Sequence, residues 1–159
     1  MINITDEALL KQAVKIAQRA RQNGNHPFGA LLAGPDGEVL LTAENTVITG
    51  KDCTGHAETN LMRLASQHYE PEFLAQCSLY TSTEPCAMCS GAIYWGGVGR
   101  VVYALSEVEL YEMTGRDGRN QTLTLPCRQV FRRGQREVQV EGPFDLPEAA
   151  EVHRGFWGS

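Results

Sequence analysis

The chain has 159 residues, of which 42% are hydrophobic and 21% are charged, and this is enough apolar material for one domain-sized core. Its 14 Lys and Arg against 19 Asp and Glu give a formal net charge of −5, so nucleic-acid binding through bulk positive charge is not expected. No apolar run approaches the ~20 residues that a membrane-spanning helix needs. We therefore expect a single domain over residues 1–159, with no membrane partner.

Cysteine usage points to a cellular compartment. The chain has five cysteines, and its start lacks the basic and then apolar pattern of a secretory signal. An odd number of thiols in such a chain is typical of a reducing cytoplasm, where cysteines act as metal ligands or core residues. We expect a cytoplasmic protein.

The first part of the chain predicts a helix followed by a β-hairpin. Apolar residues recur at helical spacing from Leu9 to Ala20, and Gly24 is a natural end for that helix. Two apolar runs, 28–33 and 38–43, then flank a Pro-Asp-Gly turn, which is typical of a hairpin.

Helices and strands alternate in the rest of the chain. The predicted elements are helices at 56–66, 85–95 and 145–156, and strands at 78–81, 101–104 and 137–141. Strands separated by helices favour right-handed crossovers and parallel pairing, and 137–141 has the alternation of an edge strand. The fold class is therefore α/β, with a mixed sheet of about five strands and helices on both faces.

Two predicted helix starts carry the chemistry. Cys86 and Cys89 lie at positions i and i+3 of a first helical turn, so both thiols face the same side. The free N–H groups of a helix start favour thiolate, which is the form that binds metal. His56 begins another helix and can supply an imidazole. Zinc prefers these ligands, and three of them leave one position for water.

Glu58 follows His56 by two residues and is placed to reach a water on such a metal. Zinc lowers the pKa of bound water to about 7, and a nearby carboxylate can take that proton and return it to a leaving group. This arrangement suits hydroxide attack on an electron-poor carbon, followed by loss of an amine.

Two other interpretations of these features stay open. A purely structural zinc site would need a fourth ligand, for which the candidate donors are Cys53, Cys77, Cys127, His26 and His68. Separately, four arginines crowd nine residues and could grip a phosphate or an RNA backbone, or could form a charged strand edge. They are Arg128, Arg132, Arg133 and Arg136.

These motifs together resemble the cytidine/deoxycytidylate deaminase superfamily, whose H-x-E…P-C-x-x-C signature the chain matches. The matching segments are 27–30, Asn45, 55–58 and 79–95. Within the superfamily the chain is most similar to small bacterial guanine deaminases, with tRNA adenosine deaminases and fungal cytosine deaminases as neighbouring branches. The resemblance covers roughly residues 9–104. It implies a three-layer α/β/α sandwich, zinc bound by His56, Cys86 and Cys89, and a proton-shuttling Glu58.

The resemblance also implies a set of substrate-binding residues. Asn45 would hydrogen-bond the base, Phe28 would pack against its ring, and the backbone N–H of Ala57 would face a ring substituent. The further expected contacts are Glu84, Glu112 and Trp157, with Asp117 as an alternative to Glu112. Each has a simpler interpretation: Asn45 as a loop cap, Phe28 as core, Glu112 as a surface carboxylate and Trp157 as packing of a terminal helix rather than a lid.

The function that follows is zinc-dependent hydrolytic release of ammonia from an aminated nucleobase, with guanine as the first candidate. The alternatives are a tRNA-specific adenosine deaminase, a deaminase of cytosine, a pterin or a triazine, and a non-enzymatic structural zinc domain. The expected partners are a small nucleobase and a second copy of the chain, with nucleic acid not expected. The homodimer would form through the segment 91–96, which carries small and aromatic residues.

Overall fold

The computed structural model describes residues 3–158, and a five-stranded mixed sheet organises them; residues 1, 2 and 159 of the predicted domain lie outside this range. The strands are β1 (Gly29–Ala33), β2 (Val39–Glu44), β3 (Ser78–Thr83), β4 (Arg100–Leu105) and β5 (Gln139–Glu141). Their order is β2-β1-β3-β4-β5. β1 pairs antiparallel with β2 and β3, whereas β3, β4 and β5 run parallel. The predicted mixed sheet is confirmed.

Helices cover both faces of this sheet. They are α1 (Ile4–Gln22), α2 (Ala57–His68), α3 (Pro71–Leu74), α4 (Ala87–Gly96), α5 (Glu107–Thr114), α6 (Cys127–Arg132) and α7 (Pro147–Glu151). Successive strand residues point to opposite faces, so Leu31 packs in one core with Leu10 of α1. Its neighbour Leu32 packs in a second core with Leu61 of α2 and Ile93 of α4. The three-layer α/β/α sandwich implied by the resemblance is therefore confirmed.

The predicted closing helix over 145–156 is shorter in the structure. α7 ends at Glu151 and the chain continues in turns. Gly155 adopts φ +73°, a left-handed conformation that interrupts a helix. The predicted edge strand 137–141 also shortens to residues 139–141. Three helices, α3, α5 and α6, were not predicted.

The fold places two helix starts next to each other. The loop after β2 leads into α2, and the end of β3 leads into α4. α2 and α4 pack against each other on the same face of the sheet. The sequences that carry the predicted chemistry therefore meet at one edge. Among the helices of residues 3–158, none combines the length and the apolar character that a membrane crossing requires.

Candidate active site

The metal-ligand candidates meet where α2 and α4 begin. His56 is the N-cap of α2 and Cys86 is the N-cap of α4, both with extended backbone. The Nδ1 atom of His56 lies 3.5 Å from the Sγ atoms of Cys86 and of Cys89. The three ligand atoms all lie within 4.8 Å of one another. The structure thus brings together three residues separated by up to 33 positions in the chain.

The two thiols of this cluster differ in acidity. Hydrogen bonds from Cys89 and then from His56 lower the pKa of Cys86 to about 4, although burial opposes this. The pKa of Cys89 is raised well above its usual value, first by the Cys86 sulfur and then by burial. Cys86 is therefore the more readily ionised of the two thiols, and Cys89 would have to release its proton in order to serve as a thiolate ligand.

The donor set fits zinc with a position left open. Sulfur and imidazole ligands suit this ion, and catalytic zinc sites have three protein ligands. Among residues 3–158, no further His, Cys or carboxylate joins the three ligand atoms. Of the candidate fourth donors, Cys77 and Cys127 are buried in the core, and Cys53 is an exposed thiol.

Glu58 lies beside this cluster, in the first turn of α2. Its side chain is buried, with 6% of the residue exposed. Burial, and then the negative Cys86 sulfur, raise the pKa of Glu58 to about 7. A carboxyl group with that pKa can both accept and release a proton at neutral pH, as a general acid–base must.

A cavity of about 190 Å³ joins the cluster to the other candidate residues. It is lined by His26, Phe28, Asn45, Val47, Cys53, His56, Glu58, Thr83, Glu84, Cys86, Glu107, Leu110, Arg119, Asn120 and Thr122. Three of the substrate-binding residues expected from the resemblance, namely Phe28, Asn45 and Glu84, thus lie around the same space as the metal ligands. Most of these side chains are polar, with Phe28, Val47 and Leu110 as the apolar part of the wall, and converging polar groups of this kind fix the orientation of a small ligand.

Asn45 and Phe28 each combine two of the interpretations that the sequence allowed. Asn45 is buried just after β2, and its Oδ1 accepts a 3.0 Å hydrogen bond from the N–H of Val47. It therefore caps its own loop and also lines the cavity. The Phe28 ring lines the cavity and packs on the rings of His153 and Trp157, with centroids 5.2 and 6.1 Å away.

Glu84 lines the cavity, and its carboxylate also has a structural role. One carboxylate oxygen accepts from the backbone N–H of Glu107 at 3.1 Å, and the other accepts from that of Cys127 at 2.9 Å. These are the first residues of α5 and α6, whose N–H groups have no partner within their helices. Glu84 therefore holds two helix starts beside the cavity.

Glu112 does not reach the cavity. Glu112 lies on α5 five positions after Glu107, which is about 140° further around a helix. Because Glu107 lines the cavity, Glu112 points away from it and is exposed. This exposed position favours the surface interpretation of Glu112, although Glu112 lines a neighbouring depression with Glu107 and Thr122. The alternative, Asp117, is engaged by the guanidinium of Arg119 and by the N–H of Gly158.

Trp157 lies behind the cavity wall rather than inside the cavity. Its indole N–H donates to Nδ1 of His153 at 3.1 Å, and its ring packs against His26 and Phe28. The Arg119 guanidinium holds the neighbouring backbone by donating to the carbonyl of Phe156. The carboxyl-terminal aromatics therefore support the wall, and the predicted lid becomes a backing layer.

Ala57, with no exposed surface, is the first residue of α2.

The arginine-rich segment lines a separate depression of about 770 Å³. Arg128 donates to the carbonyls of Val140 and Gly142. Arg136 donates in the same way to the carbonyls of Ile93, Tyr94 and Val98. Both guanidinium groups thus have a structural role, and this depression contains no metal-ligand cluster.

Sequence reasoning assigned no substrate-binding role to several residues of the cavity. Four of the polar ones are Glu107, Asn120 and Thr122, to which it gave no role, and His26, which it considered only as a metal ligand. Burial, and then the charge of Glu84, raise the pKa of Glu107 to about 8. Buried polar atoms without a hydrogen-bond partner occur on the other three: Nε2 of His26, Nδ2 of Asn120 and Oγ1 of Thr122. No local motif marks these positions.

Comparison with known proteins agrees with this geometry. A family profile described as the cytidine and deoxycytidylate deaminase zinc-binding region matches residues 3–105. The chain is 40% identical over 152 residues to a "Probable cytosine deaminase" of Schizosaccharomyces pombe, covering 96% of this chain and 92% of that protein. It is 40% identical over 107 residues to a guanine deaminase of Bacillus subtilis, covering 67% and 68%.

A solved structure shows the same fold. Guanine deaminase from Nitrosomonas europaea superposes with a TM-score of 0.75 at 23% identity, over 97% of this chain and 84% of that one. The fold, the helix-start cluster and the matched residues agree, and the chain belongs to the zinc-binding cytidine and deoxycytidylate deaminase family.

Proposed function

We propose that this chain is a hydrolytic deaminase that replaces the exocyclic amine of a small free nucleobase with oxygen and releases ammonia. One observation carries the proposal: the His56, Cys86 and Cys89 cluster shares a cavity with the buried carboxyl group of Glu58. When bound there, zinc supplies a Lewis acid that lowers the pKa of water to about 7. Water and the aminated base are consumed, and the oxo base and ammonia are formed.

The chain's own groups handle the protons and the orientation of the base. Glu58 takes a proton from the attacking water and delivers protons to the ring nitrogen and to the departing amine. Phe28 packs against the ring face. Asn45 hydrogen-bonds the ring edge through its amide, and the backbone N–H of Ala57, free at the start of α2, faces a ring substituent.

Guanine is the first candidate substrate. Support comes from the similarity to a guanine deaminase at 40% identity and from the polar groups that line the cavity beyond Asn45, such as Glu107 and Asn120. A purine has a second polar edge, on its five-membered ring, that such groups can bind. Cytosine is the second candidate, because the relative described as a cytosine deaminase matches 96% of this chain.

Two further alternatives are outcomes of the same test. The net charge of −5 gives little general attraction for tRNA, so adenosine editing would need a specific docking surface. A structural zinc domain would need a fourth protein ligand, and none joins the cluster within residues 3–158.

The decisive experiment is ammonia release from a substrate panel. Zinc-loaded protein is incubated with guanine, cytosine, adenine, a pterin, a triazine and an anticodon stem-loop RNA, and products are identified by chromatography. We expect xanthine from guanine. Uracil from cytosine would instead select the second candidate, and inosine in the RNA would select tRNA editing. Ammonia from none of them, with zinc present, would contradict the deaminase proposal.

The predicted homodimer remains a proposal. On α4, Trp95 is 85% exposed and Met88 is 38% exposed, and exposed apolar side chains of this size favour an interface. Sedimentation equilibrium of the protein and of a Trp95→Lys variant tests it, because the variant should shift the population towards monomer.

A further inference from the structure

The unpaired buried polar atoms converge on one place. Within residues 3–158, three side-chain nitrogen or oxygen atoms are buried without a hydrogen-bond partner: His26 Nε2, Asn120 Nδ2 and Thr122 Oγ1. All three residues line the cavity that holds the metal-ligand cluster. Folded proteins pair the great majority of such atoms, because leaving one unpaired is costly. Their concentration around one cavity indicates that a ligand supplies the missing partners.

Glu107 adds a fourth unpartnered group to the same cavity. The residue is 8% exposed, and its backbone N–H is bound by Glu84. No hydrogen bond or ion pair within the described part of the chain involves its carboxyl group. Burial, and then the charge of Glu84, raise its pKa to about 8; the carboxyl group accepts hydrogen bonds in either state and also donates one when protonated.

We propose that Asn120, Thr122 and Glu107 form a specificity-determining subsite that binds the edge of the heterocycle remote from the departing amine. This inference rests on the proposed deaminase function and adds the residues that select among bases. The three residues lie on α5 and on the segment that follows it, outside the part of the chain that the family profile matches.

The chemistry of these groups defines the ligand edge. Nδ2 of Asn120 is only a donor, so it requires a ring nitrogen or a carbonyl oxygen. A neutral Glu107 carboxyl pairs with an N–H next to such an acceptor, and the Thr122 hydroxyl can serve either role. The subsite therefore fits a heterocycle whose remote edge carries a ring N–H and an acceptor side by side. A free base has this edge, whereas alkylation of the ring nitrogen removes it.

Both sides of the subsite are held in place before a ligand binds. Glu84 binds the N–H groups of Glu107 and of Cys127, on either side of the intervening segment. Within that segment Asp117 pairs with Arg119, and Asp117 also accepts from the N–H of Gly158. A subsite held in this way binds its ligand without the entropic cost of ordering a loop.

Thr122→Val tests the proposal, with Thr124→Val as the matched control. Valine keeps the shape of threonine and removes the hydroxyl, and Thr124 is an exposed residue of the same segment that does not line the cavity. We expect Thr122→Val to raise the Tm of the ligand-free protein, because an unpaired buried hydroxyl is removed. We also expect kcat/KM for the preferred base to fall about tenfold or more, mainly through KM. Thr124→Val should change neither quantity.

A purely structural role gives a different pattern. A fall in Tm for Thr122→Val, with kcat/KM falling in parallel, would overturn the inference, as would an unchanged kcat/KM. The Asn120→Asp variant provides a second test, because it replaces the amide donor with an acceptor. The variant should weaken the binding of guanine or cytosine about tenfold or more. It should have little effect on the binding of the corresponding N-methylated base, which lacks the ring N–H of this edge.

Direct binding separates this inference from the proposed function. Calorimetric titration with guanine and with cytosine measures affinity when zinc-loaded protein carries Glu58→Gln, because turnover then does not consume the base. Base binding that Thr122→Val weakens, without ammonia release by the unmodified protein, would keep the subsite and reject the deaminase activity. Ammonia release and affinity that are both unaffected by Thr122→Val and Asn120→Asp would reject the subsite and keep the activity.

Discussion

The carboxylate of Glu84 accepts a 2.9 Å hydrogen bond from the backbone N–H of Cys127, 43 residues further along the chain. Its other oxygen accepts from the N–H of Glu107. Glu84 directly precedes Pro85 and Cys86, so this one side chain connects the metal-binding segment with the starts of α5 and α6.

Glu84→Gln should therefore destabilise the fold. An amide places an NH2 group opposite one of the two backbone donors, which leaves a buried donor unpaired and costs about 1–3 kcal/mol. Urea denaturation measures the change in the free energy of unfolding. The exposed Glu72→Gln variant is the control and should be close to the unmodified protein. Unchanged stability with an altered base preference would instead support the direct substrate contact expected from the resemblance.

Glu58→Gln should strongly reduce turnover and preserve the metal site. Glutamine keeps the shape of the side chain but cannot exchange a proton, and general acid–base catalysis contributes about 10²–10⁴-fold in rate. We expect kcat to fall by about that factor, with the zinc content unchanged. Near-normal kcat in a zinc-loaded Glu58→Gln protein would eliminate this residue as the proton carrier.

Asp6 should make the stability of the fold depend on pH in the acid range. Although burial opposes it, hydrogen bonds from Arg100 and Tyr80 lower the pKa of Asp6 to about 2. Since the pKa of Asp6 is depressed in the folded state, its contribution to the free energy of unfolding is fully present above the unfolded pKa of 3.8 and is lost as pH falls through about 2. This contribution is about 2 kcal/mol.

The test compares the unmodified protein with Asp6→Asn across pH. We expect a stability difference that is constant above pH ~4 and shrinks between pH ~4 and ~2. The exposed Asp145→Asn variant provides the comparison, with only a small and pH-insensitive change. A difference for Asp6→Asn that does not depend on pH would show that the ion pair with Arg100 contributes nothing to the fold.

Local signals explain what the sequence analysis could predict. The hairpin has a Pro-Asp-Gly turn, and the starts of α2 and α4 carry a His-x-Glu and a Cys-x-x-Cys motif. The structure begins these helices at Ala57 and Ala87, within two residues of the predicted positions. Residues close together in the sequence determine each of these features, so they can be predicted from short sequence motifs.

The remote wall of the cavity could not be found in the same way. Glu107, Asn120 and Thr122 each look like ordinary surface residues in the sequence, and they line the cavity only because the chain folds back across it. The resemblance pointed to the segment after β4 and selected Glu112, which the turn of α5 carries to the outer surface. Trp157 was expected beside a terminal helix, but α7 ends at Glu151 and the turns that follow, including the left-handed Gly155, place the ring next to Phe28.

Zinc content measured by elemental analysis, on protein purified without added metal, tests the central claim most directly. The account predicts about one zinc per chain in the unmodified protein. It predicts loss of that zinc in Cys86→Ser and in Cys89→Ser, and full retention in Cys53→Ser, which removes the exposed thiol of the same cavity. An unmodified protein without zinc, or zinc retained in both of the first two variants, would contradict it.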